Sequence, residues 1–193
     1  EIETLINGIE EGAGRTREIV AGLRSFSRLD EDDFKPADIQ QGIESTLMLL
    51  RNKIKNRIEV RKDFNPLPPV ECVPGKINQV FMNIINNASD AIGDKGLITI
   101  KTRTGDQNDV VISIKDDGMG MKESVKRRIF EPFYTTKAIG QGTGLGLSIS
   151  YGIIEKHNGT IAVKSAPGKG PEFIITLPVK QTEKDKKGGK KGF

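Results

Sequence analysis

Seven residues, Gly142-Thr143-Gly144-Leu145-Gly146-Leu147-Ser148, restrict this chain more than any other stretch. Three glycines alternate with Thr and Leu, and a helical pattern starts directly behind them. Glycine takes backbone conformations closed to other residues and lets N–H groups come close to a ligand. A helix starting there adds unpaired N–H groups and the positive end of its dipole, a combination suited to phosphate. The same residues also suit a plain packing turn, so the reading depends on what stands upstream.

Composition sets the bounds. The 193 residues, 35% hydrophobic and 29% charged, suffice for one packed domain with a smaller element attached. No run approaches the ~18 apolar residues of a membrane span, and residues 1–20 carry no signal-peptide pattern. The single Cys72 excludes an internal disulfide framework and a Cys-rich zinc site; it reads as a small buried filler and fits an intracellular setting. Residues 180–193 hold six lysines and two acids, which accounts for the whole net charge of +4. The basic pI thus belongs to a tail and gives no ground for nucleic-acid binding.

In chain order, residues 1–29 read as one helix. Ile2, Leu5, Ile9, Ala13, Thr16, Val20 and Leu23 recur at three- and four-residue steps. Such a stripe needs a partner helix from another chain or from residues upstream. The acidic run ending in Pro36 makes 30–37 a linker. Asp38 is placed to cap a helix with Ile39, Ile43, Leu47 and Leu50 on one face. Arg57–Asp63 alternates as a strand, and a further helix spans 74–92. Strands at 97–103 and 109–115 flank the hairpin turn Gly105–Asn108. A long Gly-, Lys- and Thr-rich connection over 117–144 holds one short helical piece near Glu123–Ile129. Leu145–Lys156 is helical, and Thr160–Lys164 with Glu172–Leu177 form a last antiparallel pair. The order predicts an α+β two-layer sandwich over 38–179, with residues 180–193 a low-complexity, disordered tail.

Three segments carry chemistry. Asn83 and Asn87 lie four apart on the 74–92 helix and Asp90 three further, all on one face. Amide and carboxylate oxygens suit Mg²⁺, though a solvated polar face would look the same. Val110–Met121 reads as a buried strand ending in Asp116, Gly118 and Gly120. A carboxylate there would select adenine through its exocyclic amine, and glycines would admit a flat ring; an Asp-Gly turn is the plainer alternative. In Phe130-Glu131-Pro132-Phe133-Tyr134-Thr135-Thr136-Lys137 the aromatics would anchor a segment and Lys137 would reach a phosphate.

The order of these pieces is specific. Residues 75–178 closely resemble the catalytic ATP-binding domain of sensor histidine kinases, in the superfamily that includes gyrase and MutL. Asn83–Asn87 matches the N box, Asp116–Gly120 the G1 box, Phe130–Phe133 the F box and Gly142–Leu147 the G2 box. Residues 1–29, ending Leu23-Arg24-Ser25-Phe26-Ser27-Arg28, resemble the second helix of the dimerisation and phosphotransfer hairpin. The resemblance implies a Bergerat-type fold, a mainly antiparallel mixed sheet with helices on one face. It implies ATP and Mg²⁺ as cofactors, with Asn83 and Asn87 catalytic and Asn87 holding the metal. Asp116 would take the adenine amine, with Gly118, Gly120 and Met121 beside the ring. Residues 134–143 would form the ATP lid. Phe133, Thr136, Lys137, Gly142, Thr143, Gly144, Leu145, Gly146 and Leu147 join the nucleotide-contacting set. Asp90 is counted with it, although many family members carry a basic residue there.

Asn83 stands where the hydrolysing relatives place a glutamate that activates water. An amide cannot act as that base, which favours phosphoryl transfer to a protein side chain. The only histidine, His157, reads as a cation at a helix C-terminus. The resemblance therefore places the acceptor histidine outside this chain. It implies a response regulator as partner and a homodimer through the hairpin. The implied setting is cytoplasmic, or the cytoplasmic part of a receptor anchored by upstream segments. The alternatives are a non-enzymatic ATP-gated interaction module and an ATPase of the gyrase class.

Overall fold

The computed structural model describes residues 33–137 and 143–181. The helix expected over 1–29, residues 30–32 of the expected linker, residues 138–142 of the expected lid (Gly142 among them) and the tail from 182 onward lie outside the described residues.

Asp38 begins the first helix, α1 (Ile39–Leu49), with its Oδ1 accepting from the N–H groups of Gln40 at 2.8 Å and Gln41 at 3.1 Å. One further turn, α2 (Arg51–Ile54), leads into β2 (Ile58–Phe64). Pro74 opens α3 (Pro74–Ala91), where its missing N–H costs nothing. The hairpin of β4 (Gly96–Thr104) and β5 (Asp109–Asp116) turns through Asn108, at φ 57°. After the single turn α4 (Glu123–Lys126) come α5 (Gly146–Lys156), β6 (Thr160–Ser165) and β7 (Pro171–Pro178). The five-stranded sheet runs β2-β4-β5-β7-β6, with β2 parallel to β4 and every other pair antiparallel.

The pleat decides what is buried. Val110, Ile112 and Ile114 of β5 alternate inward and lie beside Leu177, Ile175 and Phe173 of β7. They meet Ile77, Phe81, Ile84 and Ile85 of α3 in one core. The next inward position on β5 is Asp116, so the same alternation that builds the core places a carboxylate inside it. This is the α+β sandwich expected from the order of elements.

Two boundaries differ from the sequence reading. Lys35–Ala37 is not linker: it is β1, paired antiparallel with β3 (Val70–Cys72) in a separate two-stranded sheet. Pro36 is tolerated because this strand has a neighbour on one side only. The folded domain also runs past 179. Gln181 is buried, with its N–H bonded to Glu71 Oε2 and its Nε2 to the carbonyls of Glu71 and His157. Cys72 is the buried filler expected, its thiol pushed up to about 12 by burial.

His157 ends α5 as foreseen, but it is neutral rather than cationic. Its Nε2 accepts from the Val73 N–H at 3.0 Å, so the proton sits on Nδ1, which donates to the Ile153 carbonyl at 2.7 Å. Burial holds its pKa below the ordinary 6.5, against the Ile153 bond. A group depressed on folding adds stability above its unfolded pKa and loses it as pH falls. Between pH 7.5 and 5.5 the native chain should lose stability that His157→Gln keeps, measured by urea unfolding at both pH values. Equal pH slopes for the two proteins would refute the neutral assignment.

Candidate functional site

Beyond the C-terminal end of β5 a cleft of about 1060 Å³ opens between α3 and the segments before and after α5's start. That volume suits a nucleotide-sized ligand. Asp116 lies in its floor, 2% exposed. One carboxylate oxygen accepts from the Gly118 N–H at 2.9 Å. Burial raises its pKa to about 6; the Gly118 bond works against this and neighbouring Asp117 adds to it.

Close backbone surrounds this acid. A Cβ on Gly118 would stand 2.8 Å from the Ala91 carbonyl oxygen, and one on Gly120, at φ +67°, would stand 2.0 Å from that of Ala166. Gly170, at φ +63°, packs under Asp116 itself, where a Cβ would come within 1.9 Å of the Asp116 carbonyl oxygen. Only glycine fits these three positions.

The opposite wall comes from α3. Asn83 Nδ2 donates to the Gly146 carbonyl at 2.9 Å and to Ser150 Oγ at 3.1 Å, binding α3 to the first turn of α5. Its Nδ2 is therefore committed to joining helices. One turn on, Asn87 Oδ1 accepts from Lys137 Nζ at 3.5 Å, and Asp90 Oδ2 accepts from the same ammonium at 2.5 Å. The other oxygen of Asp90 pairs with Lys53, which also donates to Asn86 Oδ1 at 2.7 Å. Burial works to raise the Asp90 pKa, and the bonds from Lys137 and Lys53 outweigh it, holding the group below its ordinary range. An acid on this wall is thus accounted for by two lysines.

Three comparisons bear on this geometry. A family model described as histidine kinase-, DNA gyrase B- and HSP90-like ATPase matches residues 72–181. The chain belongs to that family. Among curated relatives, sporulation kinase E of Bacillus subtilis is 41% identical over 156 residues, 80% of this chain and 21% of the relative. The signal transduction histidine-protein kinase AtoS of Escherichia coli is 37% identical over 166 residues, 83% of this chain and 26% of the relative. The chain thus spans about a fifth to a quarter of the length of these two relatives. Among solved structures, a nucleotide-free catalytic domain of histidine kinase ThkA superposes with TM-score 0.68 at 33% identity, covering 76% of this chain and 96% of that one.

Within this ATPase-family domain most residues expected at the site converge. Asn83, Asn87, Asp90, Asp116, Gly120, Met121, Thr136, Lys137, Thr143, Gly144, Gly146 and Leu147 all line the cleft. Gly118 supports Asp116 from beside it, and Leu145 precedes the first turn of α5. Phe133 is a correction. It is 74% exposed and absent from the cleft wall. Its backbone, at φ +65°, packs instead where a Gly144 Cβ would fall, 2.4 Å from the Phe133 carbonyl carbon. Phe130 does the anchoring, half-buried against the core with Tyr151 5.5 Å away, centroid to centroid.

Lys53, Asn86 and Gly170 were not foreseen. Asn86 stands beside Asn87 and Gly170 sits in a glycine-rich turn before a strand, so both left a signal in the sequence. Lys53 left none, since only the tertiary fold brings it to Asp90. Among the described residues no helix is long and apolar enough to cross a membrane.

Proposed function

We propose that this chain is the ATP-binding catalytic module of a two-component sensor histidine kinase, passing the γ-phosphoryl of ATP to a histidine on a separate segment and thence to a response-regulator aspartate. The observation that carries it is the buried carboxylate of Asp116 lining one cleft together with Asn87, Gly144, Gly146 and Leu147. The donor set fits the nucleotide. Asp116 supplies an acceptor for the adenine amine, the glycines leave room for a ring, and the start of α5 offers backbone N–H groups to phosphate. The Lys137 ammonium, seated between Asn87 and Asp90 oxygens, marks a place where those oxygens hold a cation. Bound Mg-ATP supplies the transferable phosphoryl group with its charge partly neutralised. Asn87 would hold the metal and Lys137 and Thr136 would meet the phosphates, while Asn83 positions α5 against α3. Positioning and charge compensation carry the rate enhancement.

Asn83 favours transfer over hydrolysis. With its Nδ2 bonded to Gly146 and Ser150, it offers water no basic group. The protein would act in a homodimer joined through the helical hairpin, at the cytoplasmic face of its receptor or free in the cytoplasm. The test supplies γ-labelled ATP and a separate hairpin bearing the acceptor histidine. Acid-labile label on the hairpin, absent when its histidine is replaced, is expected. Steady phosphate release without acceptor would instead establish an ATPase, and binding with neither outcome would establish an ATP-gated interaction module.

A further inference from the structure

Asp90 and its two lysines form an arrangement that the family resemblance does not supply. Lys53 comes from α2, holds one carboxylate oxygen and is tied to Asn86. Lys137 also lines the cleft, and its ammonium spans Asp90 Oδ2 and Asn87 Oδ1. The Lys137 ammonium therefore sits between a carboxylate oxygen and an amide oxygen, both of the kind that Mg²⁺ takes. Among the described residues no cluster of three His, Cys, Asp or Glu side chains could cage a metal. A divalent ion here must bring other oxygens with it, as Mg²⁺ does when it travels with phosphates.

We propose that the Lys137 ammonium is the resident cation of this site in the nucleotide-free protein, and that it gives up its place between Asn87 Oδ1 and Asp90 Oδ2 when Mg²⁺ and nucleotide arrive together. The inference rests on the ATP-binding reading above. Exchange of one cation for another keeps the Asp90 carboxylate paired throughout. The same exchange frees a positive group beside the phosphates at the step when their charge needs a partner. Lys53 takes no part in it and keeps Asp90 in place from the other oxygen. Nucleotide alone brings no cation to replace Lys137, so without metal the ammonium stays.

The test follows lysine ammonium resonances in the full chain labelled with ¹⁵N-lysine, assigned through Lys137→Arg and Lys53→Arg. ADP binding is measured in parallel by calorimetry. In the free protein both ammonium groups should give resonances protected from solvent exchange. ADP with MgCl₂ should shift that of Lys137 and leave that of Lys53, while ADP in EDTA should shift neither. In Asp90→Asn the Lys137 resonance should fall among those of exposed lysines before any ligand is added. The inference is overturned if Lys137 is unprotected in the free protein, shifts equally in EDTA, stays put when Mg-ADP binds, or is unchanged by Asp90→Asn. ADP failing to bind under any condition would overturn the ATP-binding reading and this inference with it.

Discussion

Asp116→Asn is expected to weaken adenine-nucleotide binding by more than about 100-fold while making the free domain more stable at pH 8. Both effects come from one buried carboxylate. Its pKa rises from 3.8 to about 6 on folding, a difference worth about 3 kcal/mol. A group raised on folding favours the native state below its unfolded pKa, and that advantage is lost as pH rises through the folded value. At pH 8 the native protein therefore carries the full cost of an ionised carboxylate in the core, and at pH 4 almost none. Asparagine keeps the shape and can still accept from the Gly118 N–H. Its new donors need partners, so the expected net gain is about 1–2 kcal/mol at pH 8 and near zero at pH 4, read by urea unfolding. Binding moves the other way, because the adenine amine meets a neutral acceptor with a donor beside it. Wild-type ADP affinity should climb as pH passes about 6, and the variant's should stay flat. Unchanged ADP affinity in the variant would remove Asp116 from the adenine contact.

Gly170→Ala is expected to destabilise the domain by about 3 kcal/mol, lowering its melting temperature by roughly 10 °C. Two causes add. The left-handed conformation costs about 1–2 kcal/mol for alanine. The new methyl would also stand 1.9 Å from the Asp116 carbonyl oxygen, and backbone cannot yield as a flexible side chain does. The neighbouring Gly168 separates the two. It has φ +74° with nothing within 4 Å, so Gly168→Ala meets the conformational cost alone. Thermal unfolding of both should show a loss two- to threefold larger at 170, of the order expected when strain and overlap add. Equal losses would mean that the turn moves freely and does not brace the floor of the cleft. Because Gly170 abuts the residue carrying Asp116, its variant should also lose ADP affinity at temperatures where it remains folded.

What could be read from the sequence divides along lines of range. Asp38 caps α1 through bonds two and three residues away, so its role is local and visible. The apolar face of α3 and the alternation in β5 are likewise periodic signals, and both hold in the structure. Asp116 is legible as the carboxylate that ends a buried strand just before two glycines, and the pleat running into it explains its burial. The misses are contacts between distant segments. β1 and β3 are three residues each, with a proline in one, and exist through pairing across more than thirty residues. Lys53 meets Asp90 only because α2 docks beside the last turns of α3, where Arg57 also bonds the carbonyls of Ile92 at 3.0 Å and Gly93 at 2.8 Å. Phe133 was misplaced for a different reason: aromatic character marks a residue for burial, and here the left-handed backbone turns it outward. His157 was assigned the right position and the wrong charge, since its proton was decided by the Val73 N–H far along the chain.

The strap of β1 on β3 has a mechanical consequence. Phe34 lies 5.0 Å from the His157 ring, the Glu71 N–H bonds the Val179 carbonyl, and Gln181 grips Glu71 and His157. Incoming and outgoing chain are thereby knotted to one corner, at the Val73 end of α3. Asn87 and Asp90 stand toward the other end of this 18-residue helix, which is about 27 Å long. Whatever is spliced to either terminus hangs from the far shoulder of the molecule, and a pull on those tethers loads the small sheet before any tension reaches the hollow where the acid and the amides face each other.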